Sequence, residues 1–235
     1  MKNSDKYGRT YHFPFSPGAT KDDRINNDWW EDCQKIRHLL FTEKLDGENT
    51  CLCRDGVYAR SHAALTTSPW SSWIRQYWSI RRHDIPEDIE IFGENLEGIH
   101  SIEYKNLPSP FFVFAVRDNT REMWLSWEEV IWYADYFDLN VVPAIDHLDQ
   151  DLYPDAFSAD IIKRKTMARA EEGSRFTSID PQTRKPCSRE GLVVRNGGEF
   201  PVSEFKNNVF KYVRPHHVQT DEHWTKNWRK AVWQS

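Results

Sequence analysis

Cysteine is scarce in this chain of 235 residues, with only Cys33, Cys51, Cys53 and Cys187. No two of them form a CxxC pair, so neither a zinc site nor a disulfide framework is indicated, and reduced thiols in a cytoplasmic protein are expected. Long apolar runs are missing as well, and nothing approaches the ~20 residues of a membrane span. Met1-Lys2-Asn3-Ser4-Asp5-Lys6 lacks the apolar stretch of a secretory leader. There is no internal repeat, low-complexity segment or clear linker. Nor is there a surplus of positive charge. The net charge of −5 argues against an electrostatic sponge for nucleic acid. An enzyme that works through local fields stays open.

What the chain does have is a core. Hydrophobic residues make up 39% and aromatics 14%, including 11 Trp, which is the composition of a folded protein. Domains commonly reach ~250 residues before splitting, so one domain is expected. Basic clusters stand at Arg81-Arg82-His83, at Lys163-Arg164-Lys165 and through the tail from Lys206 to Lys230. Each is either a solvated face or a phosphate contact.

Strands are expected from Ile36 to Leu45, over Cys51–Arg54 and Val57–Arg60 around an Asp55-Gly56 turn, from Ile89 to Phe92, and from Phe111 to Val116. Further strands are expected at Met123–Leu125, Val141–Val142, Gly191–Arg195 and Val209–Val213. Ser68-Pro69 opens a helix over 69–82 with Trp70, Trp73, Ile74 and Tyr77 on one face. Ser126 and Glu129 form a capping box for a second helix. Its inner face would carry Trp127, Val130, Ile131, Ala134 and Phe137, and Trp132 is expected to pack as well. A third helix spans 156–172 and ends at Gly173. The pattern is α+β with mainly antiparallel sheets, not the strand–helix alternation of a doubly wound fold.

The chemistry begins at Glu43-Lys44-Leu45-Asp46-Gly47-Glu48-Asn49. A lysine at the mouth of a strand-turn can attack phosphorus and hold a nucleotide as a phosphoramidate. A free lysine with pKa ~10.4 is only about 0.04% neutral at pH 7, and lowering that pKa by ~3 units takes ~4 kcal/mol. Neighbouring cations and partial burial can supply this.

The segment resembles motif I, Lys-x-Asp-Gly, of the covalent nucleotidyltransferases: nucleic-acid ligases and mRNA capping enzymes. Arg60-Ser61-His62 resembles motif Ia, a basic contact to ribose or phosphate. Phe92-Gly93-Glu94-Asn95 resembles motif III, whose glutamate reaches the ribose or a metal-bound water. Phe111-Phe112-Val113-Phe114-Ala115-Val116 resembles motif IIIa. This maps the purine-stacking role to Phe114, although Ala115 stands where many members carry an acid. Glu190-Gly191-Leu192-Val193-Val194-Arg195 resembles motif IV, and its carboxylate would hold a divalent metal. Phe210-Lys211-Tyr212-Val213-Arg214 resembles motif V. There Lys211 is retained, Val213 replaces the usual second lysine, and Arg214 is the nearest substitute.

The flanks narrow the resemblance. Arg9-Thr10-Tyr11-His12-Phe13-Pro14 with Ser16-Pro17-Gly18, and the stretch His217–Trp224, resemble segments of ATP-dependent RNA ligases. The histidines of that second stretch match no common zinc spacing. The resemblance implies a nucleotidyltransferase domain over 1–235, with 215–235 a C-terminal extension and no room for an OB domain. It implies ATP as cofactor with magnesium, or manganese in its place. It implies RNA with 5′-phosphate and 3′-hydroxyl ends as substrate, a repair protein as a candidate partner, and no membrane. Glu43, Lys44, Asp46, Arg60, Glu94, Phe114, Lys211 and Arg214 would contact the nucleotide, Glu190 the metal. Lys211 would also depress the pKa of Lys44. A DNA nick ligase, a guanylyltransferase and a non-catalytic RNA-binding relative are the alternatives. An intact Lys-x-Asp-Gly argues against the last, because binding alone needs no nucleophile.

Overall fold

The computed structural model describes residues 6–215 and 228–234. The strands in the first half of the chain are β1 (Tyr11–His12), β2 (His38–Lys44), β3 (Glu48–Cys53), β4 (Gly56–Ala59), β5 (Ile89–Asn95), β6 (Glu103–Tyr104) and β7 (Phe111–Asp118). Those in the second half are β8 (Met123–Trp124), β9 (Asn140–Val141), β10 (Ala144–Asp149), β11 (Ser178–Ile179), β12 (Gly191–Asn196), β13 (Phe200–Pro201) and β14 (Val209–Val213). The helices are α1 (Trp29–Cys33), α2 (Ser72–Arg81), α3 (Trp127–Tyr136), α4 (Ala159–Glu171) and α5 (Phe205–Asn208).

Two sheets carry the architecture. The first runs β1-β14-β12-β2-β10, antiparallel except where β1 joins β14. The second runs β13-β8-β7-β5-β3-β4, with β9 added in parallel to β7. The central strands are buried along nearly their whole length, so each sheet has two faces to cover. The inner faces meet in one aromatic cluster with Leu45, Phe92, Phe112, Phe114, Trp124 and Phe205. The outer face of the first sheet packs Phe41, Leu192 and Phe210 against Ile162 of α4. The outer face of the second packs Ile91, Val113 and Val116 against Ile74 of α2 and Val130 of α3. The result is an α+β sandwich of four layers, helices outermost. No closed barrel occurs among the described residues.

Most expected elements are present, with physical reasons for the shifts. The hairpin turns through Arg54-Asp55, because Cys53 pairs directly with Gly56, one residue earlier than the Asp55-Gly56 turn expected. The capping box of α3 is complete, with both reciprocal hydrogen bonds made. Ile131, expected on the inner face of α3, is 37% exposed, because Val130 and Ala134 already fill the stripe facing the sheet. Trp132 is also exposed and stacks on Tyr136 one turn away, with centroids 5.5 Å apart. The helix expected over 69–82 starts as a 3-10 turn at Pro69–Ser71. The one expected over 156–172 starts later, where Ser158 caps Ile161 N–H. Among the described residues no helix is long and apolar enough to cross a membrane. The stretch 217–224 lies within a segment outside the described residues.

Candidate active site

The first sheet sets two rungs on one face. Lys44 on β2 pairs with Gly191 on β12, which pairs in turn with Val213 on β14. Two rungs along, Thr42 pairs with Val193 and Val193 with Lys211. Residues opposite each other, and two apart, share a face. Lys44, Val193, Lys211 and Val213 therefore point the same way. Glu190, just ahead of Gly191, reaches Lys44, whose Nζ donates to Glu190 Oε2 at 2.6 Å.

The second sheet brings carboxylates from the opposite side. Glu94 on β5 pairs with Asn49 on β3 and Phe112 on β7, which places the three on one face. Glu94 Oε1 accepts Gly47 N–H at 3.0 Å, which ties it to the turn that follows Lys44. A Cβ on Gly47 would lie 2.4 Å from the Asn95 carbonyl oxygen, so only glycine lets this turn approach β5. Asp46 is fixed from two sides. Its N–H donates to Tyr104 Oη at 2.9 Å, and its Oδ2 accepts Ser101 N–H and Oγ–H, each at 2.8 Å.

The electrostatics follow from this crowding. Burial alone would push Lys44 down, but the carboxylates of Glu190, Glu94 and Asp46 outweigh it and hold the ammonium above the ordinary lysine range. This reverses the expected direction: without ligand, Lys44 is protonated and ion-paired. Burial pushes Glu94 up to about 8, against the pull of Lys44 and with the help of Glu190 and Asp46. Burial lowers Lys211; Asp23 opposes that shift and nearby Lys44 adds to it. Glu43 is buried on the other face of β2, accepts Arg175 N–H at 3.1 Å, and is raised by burial. It supports the strand beneath the lysine and does not share its face.

The remaining candidates divide. Phe114 lies in the inter-sheet cluster, 7% exposed, with Tyr7 edge-on at 5.0 Å and its carbonyl accepting from Arg195. It is the extra residue of a β-bulge, since Phe92 pairs with Ala115 and Gly93 with Val113. The bulge turns both Phe114 and Ala115 inward, which explains the small residue at 115. Arg214 donates its backbone N–H to the Glu190 carbonyl at 3.0 Å. Its guanidinium acts on Asp180 and Cys187, so it does not take the place of the second lysine beside Lys211. Arg60 sits exposed in the turn after β4, where Ala59 pairs with Thr50, next to the Asn49 that pairs with Glu94.

Several site residues carried no signal in the sequence. Tyr104 and Ser101 reach Asp46 from a loop more than fifty positions away. Asn49 sits opposite Glu94, and its buried Oδ1 has no hydrogen-bond partner among the described residues. His12 and Asp23 meet Lys211 from the N-terminal segment. Periodicity cannot reveal such pairs.

A divalent cation suits this donor set. Three carboxylates face one lysine, and all are oxygen donors of the kind magnesium prefers. Among the described residues no group of three or more His, Cys, Asp or Glu could hold an ion unaided. Glu190 would therefore hold such an ion only together with substrate phosphate oxygens.

Comparison with known proteins places this geometry. The family model described as RNA ligase matches residues 37–213. No curated protein matches. Among solved structures, an apo variant of the Naegleria gruberi RNA ligase is similar, with TM-score 0.53 and 18% identity, covering 87% of this chain and 57% of that one. A variant of the same ligase with ATP and Mn gives TM-score 0.55 and 16% identity, covering 93% of this chain and 58% of that one. A third, with AMP and Mn, gives 0.53 and 14%, covering 91% and 57%. This chain thus spans well under two thirds of the length of these structures. At such identities the likeness establishes the fold.

Proposed function

The chain belongs to the RNA ligase family, and we propose that it is an ATP-dependent RNA ligase acting through lysyl-AMP and RNA-adenylate. The observation that carries this reading is Lys44 Nζ, 2.6 Å from Glu190 Oε2, beside the turn that Glu94 of the second sheet holds through Gly47 N–H. The lysine side chain is 25% exposed there, enough to reach a substrate.

The reaction has three transfers. Lys44 Nζ loses a proton, for which Glu190 is the nearest acceptor, and attacks the α-phosphorus of ATP. The N–P bond forms, the bond to the β-phosphate oxygen breaks, and pyrophosphate leaves. An oxygen of an RNA 5′-phosphate then attacks the same phosphorus, and the N–P bond returns its electrons to a reprotonated Lys44. Finally the 3′-hydroxyl of a second end gives up its proton and attacks the 5′-phosphorus. A phosphodiester forms and AMP leaves.

Such transfers are catalysed mostly by positioning and charge neutralisation. Bound magnesium would offset the carboxylate charge that holds the proton on Lys44 and the charge on the phosphates. Lys211 points the same way as Lys44 and neutralises the α-phosphate. Asp46, held by Tyr104 and Ser101, fixes the turn after Lys44. Glu94 and Asn49 face the ribose side, and Phe114 flanks the purine.

A ligation assay with ATP and magnesium on matched nicked and single-stranded RNA and DNA tests the reading. Joined RNA that depends on ATP supports it. Joining of DNA nicks alone, or use of GTP without ATP, would replace it.

A further inference from the structure

The N-terminal segment builds a device around Lys211 that the proposed chemistry has not used. β1 lies parallel to β14, with His12 paired to Lys211. Phe13 N–H donates to the Lys211 carbonyl at 3.0 Å, and Gly18 N–H to that of Val213 at 2.9 Å. The chain then loops back, and Asp23 meets the side chain of the same lysine. Lys211 Nζ donates to Asp23 Oδ1 at 3.2 Å.

Asp23 is itself held. Its Oδ2 accepts Thr20 N–H at 3.0 Å and Thr20 Oγ–H at 2.9 Å. His12 Nε2 lies 3.1 Å from Oδ1. The imidazole is buried, and its other nitrogen, Nδ1, is 2.8 Å from Ser16 Oγ. Ser16 Oγ accepts Val213 N–H at 2.9 Å and lies 3.5 Å from the Val213 carbonyl oxygen, which ties the loop to β14. A carboxylate with this many fixed neighbours is a rigid point, whereas a lone lysine has four rotatable bonds.

The need for it is visible in β14. Val213 shares the face of Lys211 and carries no charge, so Lys211 is the cation that β14 presents on that face, and its location matters. We propose that Asp23 is a positioning residue for Lys211. It pins one N–H of the ammonium and leaves the other two for the ligand, with Thr20 holding Asp23 in place. The ligand addressed is the α-phosphate of the nucleotide, so the inference rests on the function proposed above.

The test is single-turnover formation of the covalent adenylate with labelled ATP, over a range of ATP concentrations, with thermal melts of every variant. Wild type, Asp23→Ala, Asp23→Asn, Asp23→Glu, Lys211→Ala and the double variant Asp23→Ala/Lys211→Ala are compared. A displacement of about 1 Å at a reacting group costs roughly 100-fold, so Asp23→Ala and Asp23→Asn should lose about 10- to 100-fold in rate at saturating ATP. Asp23→Glu should regain part of it. With Lys211 already removed, Asp23→Ala should cost no more than about twofold further, because nothing is left to position. If Asp23→Asn keeps the wild-type rate, or if Asp23→Ala costs the same factor with and without Lys211, the proposal is overturned. The second result would mark Asp23 as merely structural, as would a loss that tracks the melting temperature. If wild type itself forms no adenylate, the function falls, and the clamp with it.

Discussion

Replacing Gly191 by alanine probes the joint between the two carriers of the chemistry. Gly191 is the rung between Lys44 and Val213, and it sets Glu190 beside the lysine. A Cβ built there would lie 1.9 Å from the Tyr212 carbonyl oxygen, 2.9 Å from its carbon and 3.0 Å from Val213 Cα. All three are backbone atoms of β14, so no side chain can rotate away. Real contacts of this kind do not fall below 3.0 Å, so β12 and β14 must part by at least 3.0 − 1.9 = 1.1 Å. Overpacking of this sort typically costs about 1–3 kcal/mol. For a chain of this size that lowers Tm by roughly 2–4 °C per kcal/mol. The larger effect should be chemical, because Glu190 and Lys211 move against Lys44 by about the 1 Å that costs roughly 100-fold in rate. Single-turnover labelling with radiolabelled ATP measures it, and a thermal melt reports the fold. A variant that labels within threefold of wild type with an unchanged Tm would refute the argument, since the sheet would then have absorbed the methyl without moving the site.

Three further outcomes are expected. Glu190→Ala should weaken metal-dependent adenylylation, and unchanged rates across a magnesium titration would remove Glu190 from its role. His12 is pushed down to about 4 from its usual 6.5, first by burial and then by Lys211. The unfolded chain therefore binds the extra proton more readily between those values, and stability falls as pH drops from 6.5 toward 4 by up to about 3 kcal/mol. His12→Gln should flatten that part of the curve of Tm against pH; an unchanged slope would contradict the assignment. Arg117 and Glu90 form an ion pair with both side chains 3% exposed. Glu90→Ala should cost roughly 3–5 kcal/mol by removing the buried counter-charge of the guanidinium, while Glu90→Leu with Arg117→Met should recover most of the loss in denaturant unfolding.

What the sequence revealed was what local rules govern. Each apolar run became a strand because alternation and burial act over a few residues, and Ser126 with Glu129 capped α3 as their spacing dictates. Lys44, Glu94, Glu190 and Lys211 could be named because each falls in a short motif, three of them at a strand end or beside a glycine that a tight approach requires. The rest depended on distance. Asp23 and Lys211 are 188 positions apart, and no periodicity links them. The edge strands β1 and β10 are short or polar, and only their neighbours make them strands. The direction of the Lys44 shift was also hidden. It comes from three carboxylates, on β5, just ahead of β12 and in the turn after β2, not from Lys211 two rungs along the sheet.

The central claim is that Lys44 is the nucleophile. The direct measurement is intact-mass and peptide mapping of the wild-type protein and Lys44→Ala after incubation with ATP and a divalent metal. The account predicts one AMP on wild type, on the peptide containing Lys44 and labile to acid as a phosphoramidate is, and none on the variant. AMP attached elsewhere on wild type, or present on Lys44→Ala at the wild-type level, would contradict it.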